Sequence, residues 1–126
     1  MFFPIRSNNG AVMPFEQMPA AAGTYASGMV LGLLDDMLHK ADGAEVSPVY
    51  LCVTSAQVTK GGMLTVAPIS REITYVCDTD WLVEDSYAEV GNVYATDGEK
   101  LIDTEDKCFL VTAVLADSSV EGRFIN

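Results

Sequence analysis

The chain reads as a succession of short runs of four to eight residues, some apolar throughout and some alternating with a period of two, separated by turn residues. Residues 29–34 and 37–40 flank Asp35-Asp36 and read as a hairpin, ended by the turn signal Asp42-Gly43. Residues 49–53 form a compact apolar, β-branched run after Pro48. Beyond Lys60-Gly61-Gly62, residues 63–69 alternate, with Leu64 and Val66 on one face and Thr65 and Ala67 on the other. Residues 72–77 alternate again, with Ile73, Tyr75 and Cys77 facing one way. Residues 93–96 and 99–102 flank Asp97-Gly98, a dipeptide suited to a tight type I′ turn. Residues 108–115 and 120–125 form the last two strands, joined across Asp117-Ser118-Ser119. Only residues 78–90 suggest a helix, of one or two turns at most, in which Trp81, Leu82, Tyr87 and Ala88 would make a short apolar side. The expected fold is all-β: a small barrel or sandwich of about eight short strands, with no internal repeat.

Residues 1–27 differ from this pattern and are expected to form an extended N-terminal arm, leaving residues 28–126 as a single β domain. The arm carries only Arg6 and Glu16 as charges, yet it holds Phe2, Phe3, Ile5, Met13, Phe15 and Met18, together with Pro4, Pro14 and Pro19. So much apolar surface must be buried somewhere. The prolines, and Ser7-Asn8-Asn9-Gly10 between two apolar clusters, favour extended segments linked by a turn.

Composition fits one folded domain: 126 residues, 49% of them hydrophobic, with no apolar run near the roughly 20 residues that span a bilayer. No membrane association is expected. Residues 1–5 are too short for a secretory core and Arg6 follows them, so the chain is expected to stay in the cell that makes it. Cys52, Cys77 and Cys108 fit neither a disulfide framework nor paired metal-ligand spacing, and read as buried thiols. The net charge of -11 falls entirely outside the neutral arm. Between Asp78 and Asp106 ten carboxylates face one cation, Lys100, a balance that repels phosphate backbones and argues against direct nucleic-acid binding.

Candidate chemistry is sparse. His39 is the single histidine and has no Cys near it in sequence, so no imidazole metal site is expected. Asp78, Asp80, Glu84 and Asp85 pair carboxylates as a cation site or an acid–base pair would, but they lack the glycine and the ligand count of a calcium loop. Ser55, Ser70 and Ser86 have no nucleophile context, and Gly61-Gly62 no phosphate-cradle context. Neither catalysis nor a cofactor is expected. Trp81, Tyr75, Tyr87 and Tyr94 suggest either core packing or a sugar platform.

Several short segments, in order, resemble the family of phage and prophage head decoration, or capsid cement, proteins. Pro19-Ala20-Ala21-Ala22-Gly23-Thr24-Tyr25 and Gly28-Met29-Val30-Leu31 are similar to the lead-in of that family's β domain. Val90-Gly91-Asn92-Val93-Tyr94 with Asp97-Gly98 resembles its Val-Gly-Asp-x-Val strand and turn, with Asn92 where the family has an acid. Gly122-Arg123-Phe124 is similar to its closing strand. The resemblance covers residues 19–126 in patches and leaves the first 18 outside it. It implies a non-catalytic virion protein, made in the host cytoplasm, that sits on the capsid exterior, binds the major capsid protein and stabilises the head. By analogy it implies neighbouring copies arranged as a trimer.

The arm then becomes the expected attachment device, with Phe2, Phe3, Ile5, Met13, Phe15 and Met18 as partner-binding residues, crossing a neighbour or adding to a sheet edge. Alternatively it folds back as a strap on its own barrel. In the first case, removing residues 1–18 would leave a folded body that no longer assembles. The other functions to weigh are a tail-tube or head-tail connector subunit, and a module binding glycan or host surface through Trp81 or Tyr87.

Overall fold

The computed structural model describes residues 1–7, 14–43, 48–78, 88–116 and 119–125, and all regular structure among them is β. Five strands close a barrel in the order β2 (Glu16–Ala20), β5 (Met37–Lys40), β4 (Val30–Leu34), β6 (Tyr50–Cys52) and β8 (Gly62–Pro68). A six-stranded sheet runs β1 (Phe2–Ser7), β9 (Ile73–Asp78), β13 (Ser119–Phe124), β12 (Phe109–Ala116), β10 (Val93–Thr96) and β11 (Leu101–Ile102). A two-stranded ribbon pairs β3 (Gly23–Tyr25) with β7 (Ala56–Val58). The all-β barrel expectation holds at this level, but thirteen strands among the described residues exceed the eight expected. Most of the excess comes from residues 1–27 and from three-residue β7, whose polar, proline-interrupted or very short sequences carry little alternation.

Each unit has its own core. Inside the barrel, Leu31, Leu38, Cys52, Leu64 and Val66 are buried, as alternation along β4, β5 and β8 requires. The six-stranded sheet buries Tyr75, Phe109, Val111, Val120 and Phe124, and the barrel contributes Val30, Ala41 and Leu51 to that same cluster. The two units are further joined by the backbone: the Val30 N–H donates to the Gly98 carbonyl at 2.7 Å. Cys52, Cys77 and Cys108 are buried and unbridged.

The turns follow from local chemistry. Asp35 and Asp36 both take positive φ, 51° and 62°, closing the β4–β5 hairpin as a two-residue primed turn. Asp97-Gly98 behaves differently from its expected type I′ turn. Thr96 pairs with Leu101, leaving residues 97–100 as a four-residue loop. Its shape comes from side chains: Asp97 Oδ1 accepts the Glu99 and Lys100 N–H groups at 2.9 and 3.0 Å. Thr96 Oγ1 accepts the Gly98 N–H at 3.0 Å. The expected helix falls mainly on residues outside those described; Asp78 ends β9 and Ala88 is buried.

The N-terminal residues are not an arm separate from the body. Residues 2–7 form the edge strand β1 on β9, and residues 16–20 are the barrel stave between β5 and β8. The physical reason lies in their apolar content: Phe2, Ala20 and Tyr25 fill gaps in this chain's own cores. Removing residues 1–18 would therefore take away β1 and most of β2 and open the barrel, so such a truncation should unfold the protein.

Two stability predictions follow from this packing. A Cβ on Gly122 would meet the Leu110 carbonyl oxygen and lie 2.5 Å from Phe109 Cε1, so Gly122→Ala should cost about 1–3 kcal/mol or more in denaturant unfolding. Burial raises the pKa of Tyr25, Tyr50, Tyr75 and Cys52; Cys52 also raises Tyr25, and Glu16 also raises Tyr50. The folded chain thus keeps these protons beyond the ordinary values of 10.0 for tyrosine and 9.0 for cysteine. Their stabilising contribution is complete below pH 9 and is lost as the pH rises through the raised values. A melting series should therefore fall steeply above pH 10, and Tyr75→Phe should flatten that fall.

Candidate functional site

The N-terminal segment builds the most distinctive surface of the molecule. Phe2 anchors it: the side chain is fully buried, with its ring 5.3 Å from Phe109 and 5.5 Å from Phe124. Phe109 and Tyr75 in turn meet Phe124 edge-on at 5.0 and 5.3 Å. The Phe2 N–H donates to the Gly28 carbonyl at 2.8 Å. Gly28 is required there for two reasons. Its φ is +94°, and a Cβ would lie 2.7 Å from Met1 Cβ and 2.9 Å from the Phe3 ring.

With Phe2 inward, its neighbours face out. Phe3, Ile5 and Phe15 are 43%, 44% and 66% exposed, high values for large apolar side chains. Beside β1 lies an apolar groove of about 120 Å³, lined by Phe3, Pro4, Phe15, Ser27, Gly28 and Val53. Phe2, Leu51 and Cys52 line it as well. Burial pushes the Cys52 thiol up and outweighs an opposing backbone hydrogen bond at Thr54, so the sulfur stays neutral at physiological pH. The groove is a place for apolar contact, with no charged group among its lining residues. Nearby, Arg6 Nη1 meets Glu121 Oε1 at 2.8 Å and ties β1 across to β13.

The outer edge of β1 is blunted against strand addition. Because the Phe2 N–H turns away from β9 to Gly28, backbone alternation turns Phe3 towards Val76 and Pro4 outward. Proline has no N–H to offer, and the register slips between Pro4 and Arg6. The N-terminal segment thus serves as the edge strand of its own sheet, and it presents side chains outward.

Of the six residues expected to bind a partner, Phe3, Ile5 and Phe15 are on the surface and Phe3 and Phe15 share the groove. Phe2 is a core residue, and Met18 is half-buried against the barrel core. Met13 lies outside the described residues. Leu51 and Val53 completed the groove without having been singled out, since nothing in the sequence pairs residue 3 with residue 53.

A second, polar hollow of about 350 Å³ is lined by Asn92, Val93, Tyr94, Asp103 and Lys107. Lys107 and Asp103 pair at 3.0 Å, and the Tyr94 hydroxyl accepts the Glu89 N–H at 3.0 Å. Tyr94 is buried and presents no open ring face to a sugar. Trp81 and Tyr87 lie outside the described residues, as do Asp80, Glu84, Asp85 and Ser86. His39 is half-buried, with Nδ1 2.9 Å from the Lys40 carbonyl oxygen. Among the described residues no three His, Cys, Asp or Glu side chains cluster as metal ligands, and no helix is long and apolar enough to cross a membrane.

Compared with protein-family models, with curated proteins and with solved structures, the chain matches none.

The two roles within the N-terminal segment separate by mutation. Phe2→Ala should destabilise by about 3–5 kcal/mol in chemical unfolding. Phe3→Ala and Phe15→Ala should each stay within about 1 kcal/mol of the parent, because water already reaches much of both rings.

Proposed function

We propose that this protein is a non-enzymatic structural subunit of a virion, a capsid decoration protein that binds the major capsid protein on the outside of a phage head and stabilises the shell. The observation that carries the reading is the groove beside β1: large apolar side chains held exposed on an edge that a proline and a register slip blunt against strand addition. Such a surface is suited to docking a preformed protein face. The resemblance to decoration proteins supports the same reading. Its segments fall on framework elements, with residues 90–94 leading into β10, Gly122-Arg123-Phe124 in β13 and residues 19–25 running from β2 into β3.

The partner surface on this reading is Phe3, Ile5 and Phe15, with Met18 and Phe2 behind it as support. The net charge of -11 keeps many copies solvated at high local density and disfavours contact with packaged nucleic acid. Neighbouring copies, as trimers by analogy, belong to the same proposal, as does assembly on the head after synthesis in the host cytoplasm.

The test is co-purification with assembled heads followed by imaging of the particles. Density on the outer capsid surface is expected, and Phe15→Asp should lower occupancy at least about tenfold while its melting temperature stays near that of the parent. Density on the tail or connector instead, or full occupancy by the Phe15→Asp variant, would overturn the assignment.

A further inference from the structure

The chemistry of the groove beside β1 narrows what can occupy it. Its lining holds no charged group, and Ser27 and Cys52 are its only polar side chains. The backbone donors along it are largely spent inside the chain. The N–H groups of Phe2, Gly28, Cys52 and Val53 donate to the carbonyls of Gly28, Cys52, Met29 and Thr65 at 2.8, 2.9, 2.8 and 3.0 Å. The Ser27 N–H donates to Ser55 Oγ at 2.9 Å, and Pro4 has no N–H to give. A polar ligand would give up its water here and gain no donor in return, whereas an apolar one gains by leaving water.

Size narrows the class further. An apolar protein cavity of about 150 Å³ takes up benzene. At about 120 Å³, the groove has room for one side chain of leucine to phenylalanine size and for no second. It is also formed in advance. Leu51 and Cys52 belong to the two cores and are buried, which fixes that part of the lining. Gly28, at φ +94°, leaves clear the space where a Cβ would lie 2.7 Å from Met1 Cβ and 2.9 Å from the Phe3 ring. Phe3 and Phe15 line the groove while still exposed, so both rings have apolar surface left to bury against an occupant.

We propose that the groove is an anchor pocket for a single large apolar side chain, leucine to phenylalanine in size, presented by the folded surface of a partner protein. One buried anchor in a preformed pocket, ringed by weaker contacts, is the usual way a small interface gains specificity. The proposal rests on the reading of this groove as the partner surface, in which the anchor belongs to the major capsid protein. The preference for an apolar group without hydrogen-bonding needs is a property of this chain alone and is measured without heads.

Capped amino-acid amides added to the full chain test it by methyl NMR. N-acetyl-leucinamide and N-acetyl-phenylalaninamide should shift the Leu51 and Val53 methyl signals saturably, with a Kd of about a few millimolar. N-acetyl-asparaginamide and N-acetyl-lysinamide should bind at least about tenfold more weakly. Val53→Phe and Ser27→Phe each place a ring in the groove. Each should weaken N-acetyl-leucinamide binding, read at Leu51, at least about tenfold and leave the melting temperature near that of the parent. No saturable shift, equal binding of the leucine and asparagine amides, or leucine-amide binding unchanged in both variants would overturn the pocket. Saturable apolar binding by a parent protein that leaves heads undecorated would uphold the pocket and remove the capsid reading instead.

Discussion

The burial of Phe2 among Phe109, Phe124 and the residues around them is the constraint on which the surface of this protein depends. One side chain enters the sheet core, and strand alternation then dictates what its neighbours do. Phe3 and Ile5 are turned to water, and the Phe2 N–H is committed to Gly28, outside the β1–β9 ladder. Gly28 answers with a positive φ and no Cβ, allowing β1 to lie directly against the barrel. The groove between β1 and Val53 is a by-product of that close approach. Its position and its apolar lining both come from the way one aromatic residue is seated.

Pro4 completes the logic of the edge. A strand at the end of a six-stranded sheet would ordinarily offer N–H and C=O groups to any passing chain. Here the outward position after Phe2 is a proline, and a register slip follows it. Backbone pairing is discouraged while the side chains stay open. Such a combination favours contact by shape and apolar fit over strand addition.

The strand grammar of residues 29–77 and 93–125 was legible because these segments are short apolar or alternating runs punctuated by Asp, Gly and Pro. The hairpin at Asp35-Asp36, the inward set Leu64 and Val66, and the buried Ile73, Tyr75 and Cys77 all follow from period-two reasoning. Residues 1–27 were opaque for a physical reason. Prolines and small residues hide alternation, so nothing local distinguishes a strap across a neighbour from a stave in the chain's own barrel. That choice is made by long-range pairing, Phe2 with Cys77 and Met18 with Leu64, which no short window contains. The loop at residues 97–100 was misjudged on the strength of Asp-Gly alone. Thr96 and Asp97 supply side-chain acceptors that stabilise a wider loop than the dipeptide suggests. The candidate site shared this limit: Phe3 and Phe15 stood out as apolar, but their grouping with Ser27, Gly28 and Val53 exists only in three dimensions.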